Sequence, residues 1–324
     1  MFTVINMIYD FPSTELSRRI AKKYGYDEFI IRRWINFFGV RDTLEIVKAF
    51  ERGIPKYIRV NTIKIDEKKL VEKLRRRGFV IEKTEVTYCY EIVEEPYSVG
   101  ATPEFLMGYY YVMDKSSCIP PLALNPKPNE IVVDLASSPG GKTTFISMLM
   151  KNRGVVLAIE PQKERIQPLI DNIHRMGAIN VVILNIDGRY FPKLGIKADK
   201  VLLDAPCSGE GIIYKDPSRK TDRGAKDIEF CSNLQKQLIL SAFDSLKSGG
   251  ILVYSTCSLT PEENELVVEY LLERRECELL EIEWGDKALT LPELKFKDEI
   301  KKARRFYPHK HRCAGFFVAK IRKV

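Results

Sequence analysis

The segment Ile131-Val132-Val133-Asp134-Leu135-Ala136-Ser137-Ser138-Pro139-Gly140-Gly141-Lys142-Thr143 runs from apolar residues through a carboxylate into a serine- and glycine-rich turn, and then into an apolar helix. A short continuous apolar run bounded by turn residues reads as a strand buried on both faces. The same design recurs downstream. Residues 155–159 end at Glu160, 181–186 at Asp187 and 200–204 at Asp204, while 251–254 lead into Ser255-Thr256-Cys257. Strands alternating with helices predict an α/β fold with a doubly wound, mostly parallel sheet of Rossmann-like type. Such sheets bind ligands outside the carboxyl ends of their strands. Asp134, Glu160, Asp187 and Asp204 should therefore gather on one edge. One such acid is equally well a cap or a surface ion pair, but four on successive strands are poorly explained that way.

Two ligands compete for this edge. Ala136-x-x-x-x-Gly141-Lys142-Thr143 fits a relaxed phosphate-binding loop, and the apolar strand ending at Asp204 fits an acidic strand holding Mg²⁺, as in a P-loop ATPase. Three features oppose it: Ala136 stands in place of the first glycine, Pro139 removes a backbone donor from the loop, and Glu160 sits where a ribose hydroxyl commonly pairs. A nucleoside with a diol and no triphosphate fits better. S-adenosylmethionine is such a ligand, with Glu160 on the ribose, Asp187 on the adenine amino group and the Gly140-Gly141 turn against the methionine end.

Leu202-Leu203-Asp204-Ala205-Pro206-Cys207-Ser208-Gly209-Glu210-Gly211 brings a thiol to the same edge, and Cys257 follows the next strand. Read alone, Cys207 looks like a nucleophile oriented by Asp204. Cys257 competes for that role. Thr260-Pro261-Glu262-Glu263 has the pattern of a capping box, which would start a helix three residues after Cys257, and Lys142 offers a cation nearby; both lower a thiol pKa. A cysteine, a carboxylate and a methyl donor together suit methylation of pyrimidine carbon 5. That carbon is a poor nucleophile until a thiolate adds to carbon 6, and a carboxylate can bind the ring-nitrogen edge as charge develops.

Asp134-Leu-Ala-Ser-Ser-Pro-Gly-Gly-Lys-Thr143, Leu203-Asp-Ala-Pro-Cys-Ser-Gly-Glu-Gly211, Ser255-Thr-Cys-Ser258 with Pro261-Glu-Glu-Asn264, Arg59-Val-Asn-Thr62 and Gly315-Phe-Phe317 together resemble the Nop/Sun family of RNA cytosine-C5 methyltransferases. The resemblance implies that Cys257 attacks the base and Cys207 helps to release product. It also implies that Ser137, Ser138, Pro139, Gly140, Gly141, Lys142, Thr143, Glu160, Arg165, Asp187 and Asp204 hold S-adenosylmethionine. Asp204 would also reach the cytosine, with Lys142 near the base. Ala314 departs from the family's usual aspartate, and Met113 from a common glutamine.

The 324 residues carry a net charge of +8, which favours a polyanionic partner such as RNA. Residues 1–100 read as a helical plus small α/β RNA-binding module, and 101–324 as the S-adenosylmethionine-dependent methyltransferase domain. In the first part, 13–52 are helical, with Phe29, Ile30, Trp34, Phe37 and Phe38 at core spacing, and Asp42 with Glu45 resembles a capping box. No further RNA-binding domain is expected beyond Val324, so substrate choice is expected to rest on this module and on two basic stretches, 215–226 and 304–312. In the latter, Phe306, Tyr307 and His309 interleave with cations. The expected substrate is tRNA, as for an archaeal-type tRNA methyltransferase, with ribosomal RNA as the alternative. A non-catalytic RNA-binding protein is a further one. Seven cysteines without a Cys-x-x-Cys pair argue against a disulfide framework or a zinc site and suit a reducing cytoplasm. His309-x-His311-x-Cys313 lacks a fourth ligand, so no metal is expected. No run is long enough to span a membrane, the N-terminus does not read as a signal peptide, and a monomer is expected.

Overall fold

The computed structural model describes residues 8–324. Residues 1–7, counted above with the N-terminal module, lie outside them. Four strands, β1 (Lys56–Val60), β2 (Val80–Lys83), β3 (Cys89–Glu94) and β4 (Tyr110–Val112), form a small antiparallel sheet in the order β2-β3-β1-β4. Tyr110–Val112, read from sequence as the opening of the second domain, is thus an edge strand of this sheet, pairing with Ile58–Val60. The amphipathic helix Glu67–Arg76 buries Leu70 and Leu74 against it.

The large sheet is built from β5 (Ile131–Asp134), β6 (Val155–Ile159), β7 (Val181–Leu184), β8 (Ala198–Asp204), β9 (Leu246–Thr256), β10 (Cys277–Leu280), β11 (Asp286–Lys287), β12 (Arg304–Phe306) and β13 (Phe316–Lys323). Its order is β11-β12-β13-β9-β8-β5-β6-β7, with β10 paired to β13. The five strands from β7 to β9 are mutually parallel, and β13 joins β9 antiparallel. The expected α/β architecture is therefore present. The chain leaves β5 outward to β6 and β7, then returns to β8 on the other side of β5. That reversal opens a crevice at the C-terminal ends of β5 and β8. Val133, Val201, Leu203, Leu252 and Tyr254 are fully buried between the helical layers, as continuous apolar runs require.

The helices Glu15–Tyr24 and Glu28–Arg52 pack on the large sheet's loops. Their aromatic stripe is core: Trp34 is 1% exposed and packs with Ile213, Leu259 and Tyr307. Asp42 caps nothing. The helix breaks instead at Gly39, where φ is 81°, and Asp42 binds Lys310 at 3.0 Å. Residues 304–312 also depart from expectation. Phe306 and Tyr307 are buried, and Arg305 is enclosed with Glu265, so these three side chains are scaffold and not a stacking surface, while Lys310 and Arg312 stay exposed. A locally basic pattern does not reveal a neutralising partner forty residues earlier in the chain.

Candidate active site

Gly140, at φ 100°, sits where an L side chain is strained, and from it springs the helix Gly141–Leu149. Thr143 Oγ1 donates to Asp134 Oδ2 at 2.7 Å, and Ser137 Oγ to the Ile159 carbonyl at 2.9 Å, locking the turn between β5 and β6. Ser137, Gly140 and Thr143 thus shape the turn, while Ala136 and Ser138 face the crevice. Burial pushes the Asp134 carboxyl up to about 6, against the Thr143 hydrogen bond.

The crevice forms an open-sided cavity of about 810 Å³, lined in part by Glu160, Arg165, Asp187, Asp204, Cys207 and Cys257. Glu160 is 2% exposed and accepts from the Gln162 N–H at 2.9 Å. Arg165 donates to the Ser138 carbonyl at 2.9 Å and lies 3.7 Å from Glu160. Asp187 is held by Arg189 at 2.6 Å, which keeps its carboxyl below the usual range. At the other end Asp204 accepts from Lys142 Nζ at 2.6 Å and from Ser255 Oγ at 2.7 Å. Burial disfavours the Lys142 charge, yet the Asp204 carboxylate outweighs it and holds the ammonium above its ordinary value.

The two thiols meet, with Cys207 Sγ and Cys257 Sγ 3.1 Å apart. The Cys207 hydrogen bond and the Lys142 cation lower the Cys257 thiol, against burial and the Asp204 charge. Cys207 is pushed up by the same pairing, by burial and by the acids around it. The expected capping box does not form. Pro261–Glu263 is a single 3₁₀ turn without a side-chain cap, the α-helix begins only at Glu265, and Glu263 turns inward. The cation and the neighbouring thiol thus account for the lowered Cys257.

Sequence reasoning missed how the N-terminal helices reach this site. Trp34 Nε1 donates to Glu210 Oε2 at 3.0 Å, and Arg33 forms a bidentate pair with Glu262 at 2.8 and 2.7 Å. One helical turn therefore grips both thiol loops. Gly211 N–H donates to the Cys257 carbonyl at 2.9 Å, and a Cβ there would fall 1.9 Å from the Gly315 oxygen. The Ala314 N–H, where the family usually has aspartate, donates to Asp114 at 3.1 Å. His311 Nδ1 accepts the Tyr307 N–H at 2.9 Å, a use unrelated to metal binding.

Burial raises Glu210 to about 7, opposed by Arg33 and the Trp34 N–H. The folded protein therefore holds this proton more tightly than the unfolded chain. Its contribution is complete at low pH and declines as pH rises from about 4.5 towards 7. Glu210→Gln, which keeps an acceptor for Trp34, should gain on the wild type by up to about 3 kcal/mol between pH 4 and 8. Denaturant unfolding at both pH values checks this; an equal difference at each would refute it.

Residues 121–322 match the family described as 16S rRNA methyltransferase RsmB/F. The chain is 41% identical over 321 residues to the 25S rRNA (cytosine-C(5))-methyltransferase nop2 of Schizosaccharomyces pombe, covering 96% of this chain and 53% of that protein. It is 36% identical over 282 residues to the tRNA (cytosine(49)-C(5))-methyltransferase of Pyrococcus abyssi, covering 82% and 87%. A crystal structure described as a methyltransferase homolog from Pyrococcus horikoshii superposes with a TM-score of 0.88 at 40% identity, covering 96% of this chain and 100% of that one. The chain spans from 39% to 53% of the length of four eukaryotic relatives that it matches. With the match running across β5 to β13 and the crevice between them, the chain belongs to the RsmB/F and Nop/Sun family of RNA cytosine-C5 methyltransferases.

Proposed function

We propose that this protein transfers a methyl group from S-adenosylmethionine to carbon 5 of a cytosine in RNA, through a covalent bond between Cys257 and carbon 6. The observation that carries the reading is the pair of thiols 3.1 Å apart beside the Lys142–Asp204 ion pair, with both thiols and Asp204 on the wall of an open-sided cavity. The donor set fits the methyl donor. Glu160 is a buried acid facing the cavity, as a ribose diol requires. A triphosphate suits the site poorly, because Lys142 is turned onto Asp204, and Glu160, Asp187 and Asp204 line the cavity. Glu160, Arg165, Asp187 and the 136–143 turn would hold S-adenosylmethionine, which supplies an electrophilic methyl group.

The chain's own residues do the rest. The Cys257 thiolate forms a bond to C6, and the electron pair displaced from the C5=C6 bond makes C5 nucleophilic. Asp204 and Lys142 face the polar edge of the ring, where charge develops. After C5 has taken the methyl group, its proton passes to solvent, and as the C–H pair re-forms the C5=C6 double bond the C6–S pair leaves onto the Cys257 sulfur, to which Cys207 donates its S–H.

For the substrate we propose tRNA, supported by the tRNA relative, 87% of whose length this chain covers. Ribosomal RNA is the second reading, favoured by the higher identity over 96% of the chain to the 25S enzyme. Transcripts of each, incubated with tritiated S-adenosylmethionine, decide between them. Calorimetric titration should show binding of S-adenosylmethionine and none of ATP with Mg²⁺; nucleotide binding without the methyl donor would overturn the proposal.

A further inference from the structure

Each thiol is followed by a serine, Cys207-Ser208 and Cys257-Ser258, and the two serine hydroxyls lie 3.3 Å apart. The two loops therefore run side by side. Both converge on one carboxylate, the fully buried Glu263, six residues beyond Cys257. Ser208 N–H donates to Glu263 Oε2 at 2.9 Å, and the Ser208 hydroxyl donates to Oε1. Ser258 Oγ and Thr260 Oγ1 donate to Oε1 at 2.8 and 3.0 Å. Gln235 Nε2 donates to Oε2 at 2.9 Å and to the Pro206 carbonyl, next to Cys207, at 2.8 Å. Burial raises the Glu263 carboxyl from its ordinary value, yet every contact is a donor, the arrangement an ionised carboxylate demands.

We infer that Glu263 is a positioning residue for the dithiol: through the two serines it holds Cys207 beside Cys257, and its charge keeps Cys207 the S–H donor to the departing Cys257 sulfur. The inference rests on the covalent reading of Cys257. The charged groups that act on the two sulfurs are Lys142, Asp204 and Glu263, and the titratable groups packed around them are Tyr214, Cys231 and Tyr254, each held neutral by burial, with Glu210 facing Glu263. Lys142 favours one negative charge, on Cys257. A second, on Cys207, is opposed by the first and by both carboxylates. Release needs this asymmetry, because two thiolates in contact would leave no proton for the leaving sulfur. Packing alone does not explain the arrangement. An apolar side chain could fill the space, whereas an anion binding the residue after each thiol couples their separation to their protonation.

The test uses the full chain, S-adenosylmethionine and whichever transcript the wild type methylates, with denaturant-stable adduct and released product followed in a single turnover. Glu263→Gln keeps the shape and removes the charge. Attack should stay near the wild-type rate, release should slow about tenfold, and the alkaline limb of release should move to lower pH. Ser208→Ala and Ser258→Ala, which keep the charge, should slow release without moving that limb; they hold the test open if Glu263→Gln does not fold. Wild-type release in these variants overturns the inference. So does equal slowing of attack and release in Glu263→Gln with the limb unmoved, which would mark a structural role only. If neither the wild type nor Cys207→Ala forms an adduct, the covalent reading itself has failed.

Discussion

Cys207→Ala is expected to leave RNA covalently attached to the protein, whereas Cys257→Ala should form no adduct and lose at least about a thousandfold in turnover, as removal of a covalent nucleophile does. The asymmetry follows from the environment of the two sulfurs. Lys142 and the Cys207 hydrogen bond lower Cys257, and its own ionisation then holds Cys207 protonated. Removing Cys207 takes away the proton donor but leaves the nucleophile, its cation and the Asp204 edge in place. Attack slows, because Cys257 also loses the hydrogen bond that lowers it, yet methyl transfer still occurs on the proposed reading, and release stalls. Gel electrophoresis of labelled RNA after denaturation reads the adduct directly. An adduct with Cys257→Ala and none with Cys207→Ala would return the attack to Cys207, the thiol that the sequence around Asp204 first suggests.

Much of this geometry is legible in the sequence because it is a property of parallel strands. An apolar run ending in Asp134, Glu160, Asp187 or Asp204 identifies both the strand and the edge to which its last residue points, and the thiols after β8 and β9 must then lie on adjacent strand ends. The less legible parts depend on partners distant in the chain. Glu263 sits in a pattern that locally spells a helix cap, and only the approach of Ser208, fifty-five positions away, makes it a hub. Arg305 and Tyr307 look like a basic, aromatic surface until Glu265 and the N-terminal helices cover them. The Trp34 stripe was assignable to a core, but its indole reaching Glu210 in an active-site loop was not, because helical period says which face is buried and nothing about what buries it.

That buried face carries the largest expected effect on stability. Arg33→Ala should destabilise the protein by about 3 to 5 kcal/mol, lowering Tm by on the order of 10 °C. Both partners of the Arg33–Glu262 pair are nearly inaccessible, and Glu262 also accepts from the Tyr9 N–H at 2.8 Å. A buried carboxylate stripped of its bidentate partner costs far more than the ion pair itself contributes. The double variant Arg33→Met with Glu262→Leu, which removes both charges, should therefore recover most of the loss. A double variant as unstable as Arg33→Ala would refute this account. The consequence for the site follows from the chain: Glu262 precedes Glu263, and Trp34 follows Arg33 onto Glu210 in the other thiol loop. Loosening this helix should thus slow adduct formation and release below the melting range, while S-adenosylmethionine binding, which on the proposed reading would draw on Glu160 and Asp187 along the cavity wall, stays within about twofold of the wild type.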